Sequence, residues 1–175
     1  MPPKVLKTET IYRGRTFSVR LDDVEYQPGR TTRMEIVEHT GAAVMAPLDA
    51  EHNIWFVRQY RHAAGTALLE LPAGTLGQEE DPAAGAAREL QEEIGMRAGK
   101  LERLASFWLA PGYSTELMHA FLATELSPSQ LPPDEDEDLH IEKVPWQQAL
   151  AMAQAGEIRD AKSLACLFAV ARRLG

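Results

Sequence analysis

Three glutamates with helical spacing are the residues of this chain best suited to metal chemistry. Glu89, Glu92 and Glu93 lie at i, i+3 and i+4, which places their carboxylates on one face of a helix. Carboxylates held so close repel each other unless a cation compensates them, and oxygen ligands favour hard cations such as Mg²⁺ or Mn²⁺. The pattern indicates a metal-dependent hydrolase of phosphate esters or anhydrides. A solvated acidic surface helix would carry the same charges, and only the residues around them separate the two interpretations.

The residues around these glutamates predict where the helix begins and ends. Asp81 is suited to cap the N-terminus, Pro82 to fill the first helical position and Gly95 to end the helix. The glutamates are expected to lie off the apolar stripe that anchors the helix. That stripe consists of Ala83, Ala87, Leu90 and Ile94.

Arg88 and a glycine-containing segment complete the predicted site. Arg88 lies one turn before Glu92 and could hold its carboxylate in orientation, although an ordinary surface pair has the same spacing. Ala73-Gly74 and Gly77 predict a flexible loop that forms the floor of the site.

The segment 74–96 resembles the signature of the Nudix hydrolase family, GX5EX7REUXEEXGU, in which U is an aliphatic residue. All nine specified positions match, namely Gly74, Glu80, Arg88, Glu89, Leu90, Glu92, Glu93, Gly95 and Met96. The resemblance implies an α/β/α sandwich with a mixed sheet, and attack of water on a phosphorus of a nucleoside diphosphate. It also implies two or more Mg²⁺ (or Mn²⁺) ions per active site. By the same resemblance, the metal ligands are the carbonyl of Ala73 and the carboxylates of Glu89, Glu92, Glu93 and Glu137.

Three features outside the signature resemble the ADP-ribose pyrophosphatase branch of this family. Pro111 lies fifteen residues after Met96, in the sequence APGYSTE, which is similar to an SPGFSDE-like loop but departs from it at Ala110 and Thr115. The other two features are VRQYR at 57–61 and PPDEDEDLHI at 132–141. The resemblance implies hydrolysis of ADP-ribose to AMP and ribose 5-phosphate. Another nucleoside diphosphate sugar or FAD is the alternative substrate, and a non-catalytic nucleotide-sugar sensor is the alternative of another class.

The resemblance also implies which residues carry the reaction. Glu135, in the acidic segment, is the expected general base and Glu137 an additional metal ligand, although their roles could be exchanged and a run of acids also suits a solvated loop. Arg88 and Glu92 are further catalytic candidates. Glu92 would be the general base if the base does not lie in the acidic segment. The expected substrate contacts are Arg61 at a phosphate or the terminal ribose, Arg33, Phe17 stacked on adenine, and Glu116. A surface role for Arg61 and a core position for Phe17 are the competing interpretations.

The N-terminal region is expected to be an extension of the catalytic domain. Two strands at 17–26 and 32–38 flank the turn Pro28-Gly29-Arg30 and predict a β-hairpin. We therefore divide the chain into residues 1–38, which would make dimer and substrate contacts, and a Nudix domain at 39–175. A lone hairpin is marginally stable, and in the branch that this chain resembles such strands cross between the subunits of a homodimer. Further strands are expected at 42–48, 53–59, 68–71, 101–109, 118–126 and 141–144, and helices at 145–155 and 160–173.

Composition limits the partners and the compartment. The 175 residues are 45% hydrophobic, enough for a core, and carry a net charge of −8 with no basic run, so nucleic acid is an unsuitable partner. No signal-peptide core or membrane-length apolar run is present, which predicts a cytoplasmic protein without membrane contacts. Cys166 is the single cysteine and is expected to pack in an apolar helix.

Overall fold

The computed structural model describes residues 2–132 and 139–174. Glu135 and Glu137 therefore lie outside the described residues. Within them, the strands and helices follow one another in the order β1 (Lys4–Arg13), β2 (Ser18–Gln27), β3 (Arg30–Glu38), β4 (Ala42–Pro47), β5 (Asn53–Arg61), β6 (Thr66–Glu70), β7 (Ala73–Thr75), α1 (Pro82–Glu93), β8 (Met96–Trp108), β9 (Leu117–Pro128), β10 (His140–Pro145), α2 (Trp146–Gln154) and α3 (Ala161–Leu174). None of the helices in this part of the chain is long and apolar enough to cross a membrane.

The chain divides into two compact units, and the first contains the N-terminal sheet. This unit comprises Met1–Gly41 and Trp108–Leu117. Strands β2 and β3 form the expected hairpin, and β1 adds a third antiparallel strand. The sequence analysis missed β1 because all ten of its residues are exposed and its sequence does not alternate strictly between apolar and polar residues.

The second unit, Ala42–Phe107 with Met118–Gly175, contains two sheets. A mixed sheet has the order β7-β4-β9-β8, with β4 parallel to β9 and antiparallel to β7. An antiparallel sheet has the order β10-β5-β6. The prediction that Ala73-Gly74 belongs to a flexible loop is wrong, because Ala73–Thr75 pairs with Ala42–Val44 as strand β7. The backbone at the expected floor of the site is therefore fixed by the sheet.

Helices cover both faces of the mixed sheet. Residues of alternate positions on β4 and β9 form one buried cluster with α1, and this cluster includes Ala43, Met45, Phe121, Ala123, Leu90 and Ile94. The intervening side chains, such as Val44 and Leu122, point to the opposite face and are also buried. Because α3 packs against β4 as well, the predicted α/β/α sandwich is confirmed.

Helix α1 begins and ends where the sequence predicts. The Asp81 carboxylate accepts hydrogen bonds from the backbone N–H groups of Ala83 and Ala84, both at 3.0 Å, and Pro82 is the first helical residue. Gly95, with φ of +66°, turns the chain away after the helix ends. Glu93, which is not part of the predicted apolar stripe, is nevertheless the one of the three glutamates that the structure buries. Its side chain is buried because β7 packs against this end of the helix.

Candidate active site

The backbone of β7 approaches α1 so closely that a side chain at position 74 would displace the Glu89 carboxylate. A Cβ atom built on Gly74 would lie 1.8 Å from Cδ of Glu89 and 2.0 and 2.2 Å from its carboxylate oxygens. At the preceding residue, the N–H of Ala73 donates to Oε2 of Glu93 at 3.2 Å. Two successive residues of β7 therefore contact two of the three predicted metal-binding carboxylates of α1.

Arg88 links the acidic face of α1 to the segment before the helix. Its Nη1 donates to Oε2 of Glu92 at 2.6 Å and lies 2.7 Å from Oε1 of Glu89. Its Nε and Nη2 donate to the two carboxylate oxygens of Glu80 at 3.2 and 3.3 Å, and Nη2 also reaches the carbonyl of Thr75 at 3.4 Å. The pKa of Arg88 is raised, chiefly by the hydrogen bonds to Glu80, so its charge is constant during any reaction near neutral pH. The predicted Arg88–Glu92 pair is thus one part of a larger network.

Glu80 closes the turn that connects β7 to α1. Its carboxylate accepts the Arg88 bonds and the N–H of Gly77 at 2.7 Å, and these interactions hold its pKa below the ordinary value. Gly85, on the facing turn of α1, has no room for a side chain, because a Cβ atom there would lie 2.4 Å from Cδ2 of Leu76. These contacts explain why the connecting segment adopts one conformation against the helix.

The donor atoms at this site suit a hard divalent cation. They are carboxylate oxygens of Glu89, Glu92 and Glu93 beside the backbone of Ala73, all in a setting with little exposure. Among residues 2–132 and 139–174, no three His, Cys, Asp or Glu side chains converge as a metal cluster, and Arg88 contacts both Glu89 and Glu92. A cation at these oxygens would thus compete with the guanidinium for the same carboxylates. The proposed ligand set stays a prediction.

Arg61 is held by a buried carboxylate that the sequence analysis did not identify. Its Nε and Nη2 donate to the two oxygens of Glu70 at 2.8 and 2.7 Å, and Lys162 of α3 also donates to Glu70. Glu70 is 1% exposed, whereas 41% of the Arg61 side chain is exposed. Burial alone would raise the pKa of Glu70, but the hydrogen bonds and charges of Arg61 and Lys162 outweigh burial and lower it. A charged residue inside the apolar run Leu68–Leu71 was the sequence signal of this pair.

The first turn of α3 extends this network to the end of β6. Lys162 lies 3.0 Å from Asp160, whose carboxylate also accepts the backbone N–H of Ser163 at 3.0 Å. The buried hydroxyl of Ser163 donates to Asp160 at 2.5 Å and accepts the N–H of Leu71 at 2.7 Å. The chain between Glu70 and Ala73 is therefore fixed at one end by α3 and at the other by Glu93.

The remaining predicted substrate contacts belong to the first unit. Arg33 forms a two-point ion pair with Asp23, with distances of 2.7 and 3.0 Å, on an exposed part of the N-terminal sheet. Phe17 is exposed, so the alternative of a core position is wrong, and its ring centroid lies 5.9 Å from that of Tyr12. Glu116 is half-buried, and its backbone N–H donates to the hydroxyl of Ser114 at 3.1 Å.

Cys166 has no part in the chemistry of the site. Its side chain is fully buried in α3, and burial raises the pKa of the thiol to about 12. The thiolate, which is the reactive form, is therefore negligible near neutral pH. The prediction that this cysteine packs in the core is confirmed.

Comparison with known proteins assigns the family. The NUDIX domain profile matches residues 38–166. The ADP-ribose pyrophosphatase of Bacillus subtilis (strain 168) is 36% identical over 162 residues, which cover 91% of this chain and 88% of that protein. The methanol dehydrogenase activator of Bacillus methanolicus is 37% identical over 163 residues, covering 92% and 88%. A crystal structure of an ADP compounds hydrolase superposes with a TM-score of 0.88 at 27% identity, covering 99% of this chain and 95% of the other. The chain belongs to the Nudix family, which confirms the prediction of a Nudix hydrolase.

Proposed function

We propose that this protein is a Mg²⁺- or Mn²⁺-dependent pyrophosphohydrolase that cleaves ADP-ribose to AMP and ribose 5-phosphate. The main support is the packing of the acidic face of α1 against β7, where Gly74 makes room for the Glu89 carboxylate and Ala73 donates to Glu93. This arrangement occurs in a chain that is 36% identical to an ADP-ribose pyrophosphatase over 91% of its length.

The residues of α1 and β7 would hold the cations. The ligands in this proposal are the carbonyl of Ala73 and the carboxylates of Glu89, Glu92 and Glu93, with Glu137 from the acidic segment. When bound, divalent cations supply positive charge against the diphosphate oxygens and make a nearby water more acidic. The bonds that Arg88 makes to Glu80, Glu89 and Glu92 limit the rotamers available to these carboxylates.

Glu135 is the proposed general base. In the reaction, a water oxygen bonds to one phosphorus, the bridging P–O bond breaks, and the carboxylate of Glu135 accepts the proton of the water. Glu137 could exchange roles with it. The described chain on both sides of 133–138 supports this proposal: the N–H of Leu131 donates to the carbonyl of Gln91 on α1 at 3.1 Å, and Leu139 packs against the cluster that contains the apolar residues of α1.

Arg61 is the proposed phosphate contact, and the other proposed substrate contacts are Arg33, Phe17 and Glu116. The Glu70 pair fixes one edge of the Arg61 guanidinium and leaves much of the side chain exposed, which suits a preorganised anion-binding group.

We also propose that the protein is a cytoplasmic homodimer. Each chain would consist of an extension at residues 1–38 and a Nudix domain at 39–175. The exposed large apolar side chains on β1, which are Val5, Leu6, Ile11 and Tyr12, support a dimer because exposed apolar surface suits a protein interface. Sedimentation velocity of the full-length protein at micromolar concentration checks this part, and a monomer with full activity would contradict it.

The substrate is tested with the full-length protein and Mg²⁺ on a panel of ADP-ribose, ADP-glucose, GDP-mannose, FAD, diadenosine polyphosphates and nucleoside triphosphates. We expect the highest kcat/KM on ADP-ribose, with AMP and ribose 5-phosphate released in equal amounts. The highest kcat/KM on a nucleoside triphosphate would refute the assignment of ADP-ribose as the substrate. Binding of ADP-ribose without release of AMP would identify a sensor.

The metal-binding face is tested by Glu93→Gln, which keeps the size of the side chain but removes its charge. We expect kcat/KM to fall about 100-fold or more and the Mg²⁺ concentration for half activity to rise. Glu157→Gln makes the same chemical change at an exposed residue between α2 and α3 and should retain wild-type kinetics. Wild-type rates of the Glu93 variant at limiting Mg²⁺ would refute the ligand assignment.

A further inference from the structure

The C-terminal end of α1 is capped by residues that lie far along the chain. The last carbonyls of a helix have no partner within it and must find one elsewhere. Here the carbonyl of Gln91 accepts the N–H of Leu131 at 3.1 Å and Nε2 of Gln130 at 3.2 Å. The carbonyl of Glu92 accepts Nε2 of Gln130 at 3.3 Å. Nε2 of Gln130 also donates to the carbonyl of Leu131 at 2.8 Å, so its two hydrogens are shared among three carbonyls, of which two are successive carbonyls in the turn that carries Glu92 and Glu93.

Gly95 and Ser129 hold the capping side chain in one position. A Cβ atom built on Gly95 would lie 2.3 Å from Oε1 of Gln130, so a side chain at residue 95 would displace the capping amide from this position. The carbonyl of Gly95 accepts the N–H of Ser129 at 2.9 Å, and the hydroxyl of Ser129 donates to Oε1 of Gln91 at 2.9 Å.

We infer that Gln130 is a positioning residue for the reaction, which acts by fixing the last turn of α1. Glu93 is the final residue of the helix, and its carboxylate must stay near the N–H of Ala73, 3.2 Å away in the structure. Helix ends fray unless their free carbonyls are satisfied, and fraying would displace the Glu92 and Glu93 side chains together. The inference rests on the proposed function for the roles of these glutamates, whereas the cap itself does not.

The exposure of Gln130 favours a local effect over a role in global stability. Its side chain lies at the surface, where hydrogen bonds compete with water and add little to the free energy of unfolding. A shift of the two carboxylates would instead change metal affinity, because residues that orient ligands typically alter affinity about 10–100-fold. Gln130 acts through the backbone, so we expect an effect near the lower end of that range.

Gln130→Met tests this inference because methionine keeps the length of the side chain but cannot donate. We expect the Mn²⁺ dissociation constant, measured by electron paramagnetic resonance without substrate, to rise about tenfold. Amide hydrogen exchange in the last turn of α1 should become faster, and KM for ADP-ribose should stay within about twofold, because the change affects metal rather than substrate binding. Gln148→Met, at an exposed position of α2, is the matched control and should change none of these quantities. Unchanged Mn²⁺ affinity in Gln130→Met would overturn the inference.

A double-mutant cycle with Gly95 separates positioning from a general loss of stability. Gly95→Ala should raise the Mn²⁺ dissociation constant strongly when Gln130 is present, because the new Cβ displaces the capping amide. In a Gln130→Ala background the clash is absent and only the strain of the positive φ at residue 95 remains. Gly95→Ala should therefore raise the Mn²⁺ dissociation constant by a several-fold smaller factor in that background. Additive effects would contradict the inference. Mn²⁺ binding without ADP-ribose hydrolysis would refute only the proposed function, whereas a wild-type protein that binds no Mn²⁺ would refute both.

Discussion

Replacement of Gly74 by alanine is the sharpest test of how β7 sets the active site. The new Cβ atom would lie 1.8 Å from Cδ of Glu89, whereas real Cβ atoms essentially never approach other heavy atoms within 3.0 Å. The Glu89 carboxylate, or β7 itself, must therefore move by about 1.2 Å. A misplacement of about 1 Å at a reacting centre can cost about 100-fold in rate, which corresponds to about 2.7 kcal/mol in the activation barrier.

The assay compares kcat on ADP-ribose and the Mn²⁺ dissociation constant between Gly74→Ala and the wild-type protein. We expect kcat to fall about 100-fold and metal affinity to weaken, with a small change in the urea midpoint because the side chain that must move is flexible. Gly77→Ala is the matched control in the same segment, since its Cβ would lie 3.5 Å from the nearest atom, an ordinary contact. If Gly74→Ala retained kcat within about threefold, the close packing of β7 on Glu89 would have no role in catalysis.

Two further predictions concern groups away from the carboxylate face. Glu70→Gln leaves Arg61 and Lys162 without their shared buried anion and should cost about 3–5 kcal/mol in urea unfolding at pH 7. The pKa of Glu70 is lowered in the folded state, so near this pKa the unfolded chain binds more protons than the folded protein. The stabilisation by ionised Glu70 is therefore fully present above the unfolded pKa of about 4.3. It is lost as the pH falls through the lower pKa of Glu70 in the folded protein. The difference in free energy of unfolding between the wild-type protein and Glu70→Gln should therefore narrow in acid. If Glu70→Gln lost less than about 1 kcal/mol at pH 7, the stabilising role of Glu70 would be contradicted. Cys166 should react with a thiol reagent such as DTNB only after unfolding, because its thiol is buried with a pKa of about 12; rapid labelling of the folded protein would show that α3 opens.

The sequence by itself determined helix α1 and the family of the chain. The bounds of α1 followed from Asp81, Pro82 and Gly95, because caps and helix terminators act on backbone groups within a few residues of themselves. Apart from β7, the order of strands and helices after residue 41 was predicted for the same reason, since periodicity and turn residues are local signals. The spacing of Gly74, Arg88 and the three glutamates identified the Nudix family before any contact was known.

Only the tertiary structure decided how these residues are held. Glu93 is buried and accepts a hydrogen bond from Ala73, Glu70 joins Arg61 to Lys162, and Gln130 caps α1. Glu70 and Lys162 are 92 positions apart along the chain, and Gln130 and Glu92 are 38 positions apart. No local pattern encodes such pairs, because they depend on which elements pack together after the chain folds. The glycines at 74 and 95 show the same division: both were recognised from the sequence as motif positions, whereas the contacts with Glu89 and Gln130 supplied the steric reason. A side chain is excluded at these positions by atoms brought close through packing, and packing is a property of the assembled fold.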